Sequence, residues 1–491
     1  MSIPLERIAA ALAAARLLVT VRGELPDWVG SVTDDSRCVR RGDVFVAVRG
    51  SERDGHAFLG RAREAGAAAA VLEDPTDWPL PAMVVRDGRR AAAVVAAAAC
   101  DWPARRLRLV GVTGTNGKST TVHLLRHLLD DFGGRAASIG TVGVLVGSEG
   151  RPMPDTSSLT TPGPIELQQL LRQLVDDGVR NLAVEVSSHA LDQRRVDGLS
   201  FDAVVFTNLT RDHLDYHGSM ASYRSSKARL ADYLAPGGTM VVNADDPAWR
   251  ALKTRARRLT FGGRKGTDIR ASDVRYTADG SHWTLHVARA AHNVELPLIG
   301  DFNVANALGA AAAAWALGLA PTAIASRLSR APQVPGRLEL LRRNPVVLRD
   351  YAHTPDALAR ALSAVRPFTR GRLIVVFGAG GDRDTGKRPL MGAIAERLAD
   401  LAIVTSDNPR TEDPERILDD IEAGMKRGRH ERGHERIEDR RAAIARALAL
   451  AGADDVIVLA GKGHETYQVR GTEKLPFDEK AIVAELAGVR S

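Results

Sequence analysis

The run GVTGTNGKST at residues 111–120 follows an apolar segment, and its lysine is followed by two hydroxyl residues. The general phosphate-binding pattern places a glycine five positions before Gly117, where this chain has Val112, so the run is a variant, G-x-x-G-x-x-G-K-S. Backbone N–H groups of such a loop, and of the helix that follows it, bind phosphate oxygens. We predict an ATP-binding loop in which Lys118 supplies charge and Ser119 reaches Mg²⁺; the alternative is a glycine-rich turn without a ligand. The predicted residues of the loop are Gly114, Thr115, Asn116, Gly117, Lys118, Ser119 and Thr120.

Two further polar segments follow apolar runs that are typical of strands. Glu185 ends the first run, and the loop after the second contains Asn208, Asp212, His213, Asp215 and His217. Carboxylates are ligands that Mg²⁺ prefers, with phosphates and water completing its shell. The spacing of His213 and His217 also suits zinc, but neither cysteine partners nor an HExxH frame accompany it, so magnesium is favoured. If both runs are strands of one parallel sheet, these side chains meet at its carboxyl edge.

The stretch TSDNPRTEDP at residues 405–414 places Asp407, Asn408, Pro409 and Arg410 directly after another apolar run. Proline restricts the local backbone, and a guanidinium offers two parallel donors that match a carboxylate. One interpretation is that this segment holds a ligand carboxylate. The other is a strand-to-helix turn with a capping residue and a surface arginine.

The elements that must position these residues follow one pattern along most of the chain. Short β-branched runs alternate with polar loops and helical periods, which predicts an α/β fold with mostly parallel sheets. Composition changes predict domains at residues 1–105, 106–335 and 336–491, and alternation within residues 268–298 predicts antiparallel strands. A length of 491 residues agrees with several domains.

Charge and composition exclude several classes of protein. The 67 basic residues exceed the 60 acidic ones by only seven, and aromatic residues make up 4% of the chain, which argues against a nucleic-acid partner. The mixed-sign run at 426–441 is typical of a solvated helical face or loop. Charged residues interrupt the N-terminal apolar stretch, which favours an amphipathic helix over a signal peptide, and the alanine-rich runs are too short to span a bilayer. The two cysteines match no metal spacing. We expect a cytoplasmic protein without membrane insertion.

Ten segments, in order over nearly the whole chain, match one family: GVTGTNGKST, EVSSHAL, TNLTRDHLDYHG, YRSSKARL, NVANALGA, PGRLE, DYAHTPDAL, GAGGDRDTGKRPLMG, SDNPRTEDP and AGKGHETYQ. Together they resemble the Mur ligases. The resemblance implies a central P-loop-type parallel-sheet ATPase domain, flanked by an N-terminal α/β UDP-binding domain and a C-terminal Rossmann-like domain for the amino acid. It implies ATP-dependent ligation of meso-2,6-diaminopimelate to UDP-N-acetylmuramoyl-L-alanyl-D-glutamate through an acyl phosphate, with Mg²⁺ as cofactor.

The resemblance also implies roles for individual residues. Asn306, Arg337 and Asp350 are expected to bind ATP, in addition to the loop at 114–120. Mg²⁺ ligands are expected from Ser119, Glu185, His213 and a carbamylated Lys227. The expected catalytic residues are Lys118, Glu185, His213 and Lys227. The expected residues for the UDP-muramoyl-dipeptide are Ser36, Ser51, Glu52, Arg53, Thr160, Thr161, Ser187, Gln193 and Arg195. Those expected for diaminopimelate are Arg388, Asp407, Asn408, Pro409, Arg410, Gly461 and Glu465.

Three rival functions remain open at this point. A lysine-adding ligase differs only in the incoming amino acid. A folylpolyglutamate synthetase relative shares the central domain, although the N-terminal segments and the Asp-Asn-Pro-Arg motif speak against it. A non-catalytic nucleotide-binding or scaffold protein is disfavoured by Lys118, Glu185, His213 and Lys227 together. We expect small-molecule substrates as the only partners, and a monomer.

Overall fold

The computed structural model describes residues 2–50, 53–73, 80–154, 159–425 and 434–488. Ser51 and Glu52, which were expected beside the UDP-muramoyl-dipeptide, lie outside the described residues. The chain forms two compact units, residues 1–270 with 306–324, and residues 271–305 with 325–491. In the part of the chain that is described, the helices all lack the length and apolar character that crossing a bilayer requires. The predicted domain boundaries at 105 and 335 stay a prediction.

The N-terminal part of the first unit is a small α/β layer. Its elements are β1 (Ile3–Pro4), α1 (Leu5–Ala14), β2 (Leu18–Arg22), β3 (Trp28–Val29), β4 (Val32–Thr33), β5 (Val44–Val46), α2 (Leu59–Glu64), β6 (Ala69–Leu72), β7 (Ala82–Val85) and α3 (Gly88–Ala99). The sheet has the order β2-β7-β6-β5-β4, and only β2 runs antiparallel to its neighbour. Leu5, Ile8 and Leu12 of α1 are buried at helical spacing, so the N-terminal helix is amphipathic, as predicted.

The next elements form the principal sheet of the first unit. They are β8 (Arg108–Thr113), α4 (Lys118–Leu129), β9 (Arg135–Gly140), β10 (Gly143–Val146), β11 (Arg151–Pro152), α5 (Pro164–Asp176), β12 (Val179–Glu185), α6 (Ser188–Asp192), β13 (Phe201–Phe206), α7 (Leu214–His217), α8 (Met220–Ala228), β14 (Leu234–Asn243), β15 (Arg257–Gly262) and the start of β16 (Ile269–Thr277). Strands β9, β12, β8, β13, β14 and β15 are parallel neighbours in that order. The predicted parallel sheet is confirmed.

The order of these strands decides which loops meet. Strands β12, β8 and β13 lie side by side and run parallel, with Val184 and Val204 both paired to Gly111. The loops that follow them therefore leave the sheet at one edge, where ligands bind in such folds. The glycine loop, the segment after Glu185 and the loop after Phe206 are thus neighbours, as the sequence predicted.

The second unit begins with the later residues of β16 and continues with β17 (Gly280–Val287) and β18 (Ala290–Leu296). Strands β17 and β18 pair antiparallel from Ser281 with Leu296 to Val287 with Ala290, which confirms the predicted antiparallel strands within residues 268–298. Two helices follow, α9 (Asp301–Ala316) and α10 (Pro321–Leu328). The chain passes into the first unit at residue 306, within α9, and returns to the second unit at residue 325, within α10.

The C-terminal elements of the second unit form a second mostly parallel sheet. They are β19 (Glu339–Arg343), β20 (Val346–Asp350), α11 (Pro355–Val365), β21 (Leu373–Phe377), α12 (Lys387–Leu398), β22 (Leu401–Val404), α13 (Pro414–Glu422), β23 (His434–Arg436), α14 (Arg440–Leu450), β24 (Val456–Ala460), β25 (Tyr467–Arg470), β26 (Glu473–Pro476) and α15 (Glu479–Leu486). The sheet order is β19-β20-β24-β21-β22-β23, and only β19 is antiparallel. The loops after β20, β21, β22 and β24 share its carboxyl edge.

The prediction of a solvated helical face or loop for the charged run at 426–441 is wrong for two of its described residues, His434 and Arg440. His434 is only 5% exposed and starts a strand that pairs with β22, while Arg440 is 1% exposed. Partners supplied by distant elements explain the burial. Arg440 Nε donates to Glu479 Oε1 at 2.8 Å, and His434 Nε2 lies 3.0 Å from Glu422 Oε1.

We predict that Glu479→Gln lowers the free energy of unfolding by on the order of 3 kcal/mol, because it leaves the buried Arg440 guanidinium without its counter-charge. The matched control is Glu485→Gln. Its ion pair with Arg441 also joins α14 to α15 but is exposed, so little change is expected. Urea unfolding followed by circular dichroism measures both variants. Equal effects of the two substitutions would contradict the assignment.

Candidate active site

The glycine loop turns sharply between β8 and α4. Gly114 and Gly117 have φ angles of +151° and +84°, in the region that favours glycine. A Cβ atom at Gly114 would collide with Thr207 Oγ1, and one at Gly117 would collide with the Asn306 amide. The structure therefore brings Asn306, which was expected to bind ATP, directly beside the loop.

The loop after β13 fixes the shape of the glycine loop through hydrogen bonds. Asn116 N donates to Asn208 Oδ1 at 3.0 Å, and Asn208 Nδ2 donates back to Asn116 O at 3.0 Å. Thr207 Oγ1 also donates to Asn116 O at 2.7 Å, and Thr115 N donates to Asn208 O at 2.7 Å. Sequence reasoning placed Asn208 in the neighbouring loop but missed Thr207, because a threonine after a strand gives no distinctive signal.

Two lysine side chains converge on one backbone oxygen of this loop. Lys118 Nζ donates to Gly114 O at 3.0 Å and to Thr115 O at 2.8 Å. Lys227, which is 1% exposed, donates to the same Gly114 O at 2.7 Å. Burial, reinforced by the charge of Lys118, holds the pKa of Lys227 well below its usual value. Burial therefore disfavours the charged ammonium form of Lys227.

Glu185 lies fully buried at the end of β12, beside the loop that follows β9. Its Oε1 accepts from Thr141 N at 3.0 Å, and its Oε2 accepts from Thr141 Oγ1 at 3.2 Å. Thr141 Oγ1 lies 3.0 Å from Thr160 Oγ1. The carboxylate is thus oriented by Thr141, which the sequence analysis did not single out.

Four residues expected to bind the muramoyl-dipeptide form a continuous network next to Glu185. Thr161 Oγ1 donates to Glu185 O at 2.8 Å and accepts from Ser187 N at 3.1 Å. Arg195 Nη1 donates to Thr161 O at 2.8 Å, and Arg195 Nη2 donates to Gln193 Oε1 at 2.7 Å. Together with Thr160, these side chains and Glu185 form one polar surface.

A cluster of histidine and tyrosine rings borders this network. The rings of His189 and His213 are 4.9 Å apart, and those of His189 and His217 are 5.5 Å apart. Burial lowers the pKa of His189 to about 4, with further effects from His213 and His217, and burial also lowers the pKa of His213. Both rings are therefore neutral near pH 7. Tyr216, also missed from sequence, accepts from Gln193 Nε2 at 3.3 Å.

Within the described ranges, no three histidine, cysteine, aspartate or glutamate side chains are arranged to hold one metal ion. The zinc alternative for His213 and His217 therefore gains no support. Oxygen donors nonetheless lie close to the glycine loop, in the Glu185 carboxylate and in Ser119, the residue after Lys118. Magnesium suits such a donor set, because it commonly takes few protein ligands and completes its shell with phosphate and water.

Two of the N-terminal residues expected at the nucleotide-sugar end, Ser36 and Arg53, belong to the described residues. Ser36, 9% exposed, follows Asp35, whose pKa is lowered to about 2, chiefly by the hydrogen bond from Arg37. The carbonyl of Arg53 accepts from Gly50 N at 2.9 Å.

In the second unit, Asn408 is the centre of the Asp-Asn-Pro-Arg turn. Its Nδ2 donates to Glu465 Oε2 at 2.9 Å, and its Oδ1 accepts from Lys462 Nζ at 3.0 Å and from Val469 N at 2.9 Å. Asp407 Oδ1 lies 3.5 Å from the same ammonium. Asp407, Asn408 and Glu465 are thus brought together, as expected, by a lysine that the sequence analysis did not single out.

Arg410 and Gly461 flank this cluster. Arg410 has a φ angle of +52°, its N donates to Val469 O at 3.1 Å, and its Nη1 donates to Gly381 O at 2.6 Å. A Cβ atom at Gly461 would lie only 2.9 Å from Asp407 Oδ2, which explains the glycine there. The structure therefore places both residues at the predicted edge.

Arg388 has a different environment from Arg410. It is 1% exposed, and its guanidinium donates to Glu412 Oε1 and Oε2 at 2.9 Å and to Asp420 Oδ2 at 2.8 Å. Arg383 lies beside Gly380, as Arg410 does: a Cβ atom at Gly380 would be 3.0 Å from Arg410 Nη1 and 3.9 Å from Arg383 Cγ.

Arg337 and Asp350 lie together in the second unit. The Arg337 guanidinium is 5.0 Å from the centre of the Tyr351 ring, a cation–π geometry. Asp350 Oδ2 accepts from Leu338 N at 2.8 Å. Burial raises the pKa of Asp350 to about 6, against the opposing effect of Arg337.

Three family models match successive parts of the chain. Residues 29–102 match "Mur ligase family, catalytic domain", residues 112–314 match "Mur ligase middle domain", and residues 336–463 match "Mur ligase, glutamate ligase domain".

Full-length relatives are also similar. The chain is 46% identical over 478 residues to the UDP-N-acetylmuramoyl-L-alanyl-D-glutamate–2,6-diaminopimelate ligase of Gloeobacter violaceus, covering 95% of each chain. It is 44% identical over 471 residues to the enzyme of that name from Geobacillus kaustophilus, covering 94% of this chain and 95% of the relative. A solved structure of a ligase with the same name is similar at 31% identity, with a TM-score of 0.70 and 100% of both chains covered. The predicted α/β fold class is confirmed.

We predict that Asp350→Asn changes how stability depends on pH. The raised pKa means that the folded parent binds a proton more tightly than the unfolded chain, so this contribution is present below about pH 4 and is lost as the pH rises to about 6. The parent should therefore lose about 2–3 kcal/mol relative to the variant across this window. Urea unfolding at pH 4, 5, 6 and 7 measures the difference, and a constant difference would contradict the prediction.

Proposed function

The chain belongs to the Mur ligase family, and we propose that it joins 2,6-diaminopimelate to UDP-N-acetylmuramoyl-L-alanyl-D-glutamate in an ATP-dependent reaction. The observation that carries the proposal is near-full-length similarity, at 44% and 46% identity, to enzymes named for this ligation. The same similarity disfavours a folylpolyglutamate synthetase relative. A lysine-adding ligase remains the nearest alternative, because it would differ only in the residues that bind the side-chain end of the incoming amino acid.

The chemistry of the ligation explains why a glycine loop is needed. A carboxylate does not react with an amine at neutral pH, so the side-chain carboxylate of D-glutamate must first take the γ-phosphoryl group of ATP, releasing ADP. The amine of diaminopimelate then attacks the acyl carbon, a C–N bond forms, and phosphate leaves as the nitrogen loses a proton. The first step brings two anions together. Loop N–H groups and Lys118 reduce the repulsion, and Asn306 lies where it can contact the nucleotide.

We propose that Mg²⁺ accompanies ATP at Ser119 and Glu185, with His213 and a carbamylated Lys227 as further ligands. When bound, Mg²⁺ neutralises phosphate charge and orients the phosphate oxygens. The neutral His213 ring suits a ligand role. As an ammonium, Lys227 cannot be a ligand. Burial favours loss of its proton, and the neutral amine could then form an N–C bond to CO₂ with loss of a second proton, which would create a carboxylate-ended arm.

The turn after β22 and the turn after β24 form the proposed binding site for diaminopimelate. Arg410 offers its guanidinium to the distal carboxylate, and Glu465, oriented by Asn408, faces the distal ammonium. Asp407, Pro409 and Gly461 shape the backbone of this site. We propose that Arg388 also contributes to this site, because its Nη2 donates at 3.4 Å to the carbonyl of Gly380, which lies beside Arg410.

The remaining roles follow from position and from the family. Thr160, Thr161, Ser187, Gln193 and Arg195 form the surface for the muramoyl-peptide, beside Glu185. Ser36 and Arg53 are assigned to the nucleotide-sugar end, together with Ser51 and Glu52. Arg337 and Asp350 are assigned to the nucleotide. A cytoplasmic monomer remains our expectation, and sedimentation of the purified protein tests the oligomeric state.

The central experiment measures phosphate release with ATP, Mg²⁺ and the UDP-muramoyl-dipeptide, comparing diaminopimelate with lysine. We expect release, and an amide product, with diaminopimelate and far less with lysine. Equal rates with both amino acids would favour the lysine-adding alternative. ATP consumption without amide formation would refute the proposed function.

We predict that Lys118→Ala reduces phosphate release to background, because no other cation of the glycine loop can replace the ammonium beside the phosphates. Lys253→Ala is the control, since Lys253 is an exposed lysine of the same unit and should retain the parental rate. A phosphate-release assay compares the two. Turnover of Lys118→Ala near the parental rate would refute the role.

We predict that Arg410→Ala raises the KM for diaminopimelate at least roughly tenfold and leaves the KM for ATP within about twofold, because the distal carboxylate loses a charged two-donor partner. Arg416→Ala, on the exposed face of α13, is the matched control. Steady-state kinetics with each substrate varied in turn provide the measurement. An unchanged KM for diaminopimelate would show that Arg410 does not bind it.

A further inference from the structure

Lys462 is a fully buried lysine in the turn after β24, and the proposed reaction does not yet use it. We propose that Lys462 is a positioning residue that sets both the orientation and the net charge of the diaminopimelate site. The inference rests on the proposed function and extends it, because it names a residue that determines amino-acid specificity without touching the amino acid. It is argued from the contacts of one side chain within the second unit.

The Lys462 ammonium holds three side chains of the site at once. Its Nζ lies 3.0 Å from Asn408 Oδ1, 3.3 Å from Glu465 Oε2 and 3.5 Å from Asp407 Oδ1. An ammonium has three N–H donors and no acceptor, so these contacts match its full donor capacity. Asn408 is thereby fixed with its oxygen toward Lys462 and its Nδ2 toward Glu465, at 2.9 Å. One buried cation thus determines which atoms of Asn408 and Glu465 remain for a ligand.

Burial makes this arrangement hard to replace. Lys462 is 0% exposed, Asp407 is 5% exposed and Asn408 is 7% exposed, so water cannot readily take over the lost contacts. A buried charge that loses its partner is strongly unfavourable, and here both carboxylates lie within 3.5 Å of the Lys462 ammonium. The side chain is also held by its backbone, since Gly461 N donates to Asp350 O at 3.0 Å and Glu465 N donates to Lys462 O at 3.0 Å.

Charge gives the cluster its selectivity. Asp407 and Glu465 carry two negative charges and Lys462 carries one positive charge, which leaves one net negative charge for an incoming ammonium. The distal end of diaminopimelate has one ammonium and one carboxylate, and Arg410 is available for the carboxylate. Without Lys462 the cluster would carry two negative charges. It would then repel the distal carboxylate and favour an amino acid that has an ammonium alone, such as lysine.

The test compares Lys462→Met with Lys462→Gln in the full chain. Methionine removes the charge and all three donors, whereas glutamine keeps an N–H donor for Asn408. We expect Lys462→Met to raise the KM for diaminopimelate roughly tenfold or more, with Lys462→Gln intermediate. The KM values for ATP and for the UDP-muramoyl-dipeptide should stay within about twofold, and the ratio of kcat/KM for diaminopimelate over lysine should fall.

Arg436→Met is the matched control, because it also removes a largely buried cation of the second unit, paired with Glu415, Asp419 and Glu422 on the edge strand β23, which β21 and β22 separate from β24. It should lower the melting temperature without changing the KM for diaminopimelate or the specificity ratio. If Lys462→Met behaves in the same way, or if both Lys462 variants alter all three KM values equally or fail to fold, Lys462 has only a structural role and the inference is overturned. A parent protein that releases no phosphate with diaminopimelate would instead refute the proposed function.

Discussion

Two lysine side chains donate to one carbonyl oxygen in the first unit, and the chemistry of the site depends on this constraint. Lys118 and Lys227 both donate to Gly114 O, at 3.0 Å and 2.7 Å, and Lys227 is almost completely buried. Like charges at this separation, away from water, raise the free energy of the site unless an anion binds or one amine loses its charge. The loop therefore favours phosphate at Lys118 and a neutral or modified amine at Lys227.

In the second unit, the charge of a buried lysine is compensated by neighbouring protein side chains. This lysine, Lys462, is surrounded by Asp407, Asn408 and Glu465, so the cation is compensated without any ligand. The cluster is preorganised, and binding an amino acid need not order these side chains. In the proposed reaction the two units therefore have different roles: the positive charge of the first would bind phosphate groups, and the oriented negative charge of the second would bind an ammonium.

Ion pairs between residues that are distant in the sequence also explain why the burial of some charged side chains was not predicted. The run at 426–441 has the composition of a solvated surface, yet Arg440 and His434 are buried because Glu479 and Glu422 reach them from other helices. Arg388 is similar, since Glu412 and Asp420 enclose its guanidinium. A charged residue has no local signature of burial, because its partner decides whether the cost of desolvation is offset.

The sequence by itself determined the features that depend on short stretches of backbone. The glycine pattern at 114–117 requires positive φ angles, and the alternation of β-branched runs with helical periods specifies parallel strands whose loops share one edge. Only the tertiary structure decided which side chains meet across that edge. Lys227 reaches Gly114 over 113 residues, Thr141 orients Glu185 over 44, and Lys462 holds Asn408 over 54. Such contacts follow from strand order and side-chain packing, which no local pattern records, and they set the charge and orientation that the proposed chemistry requires.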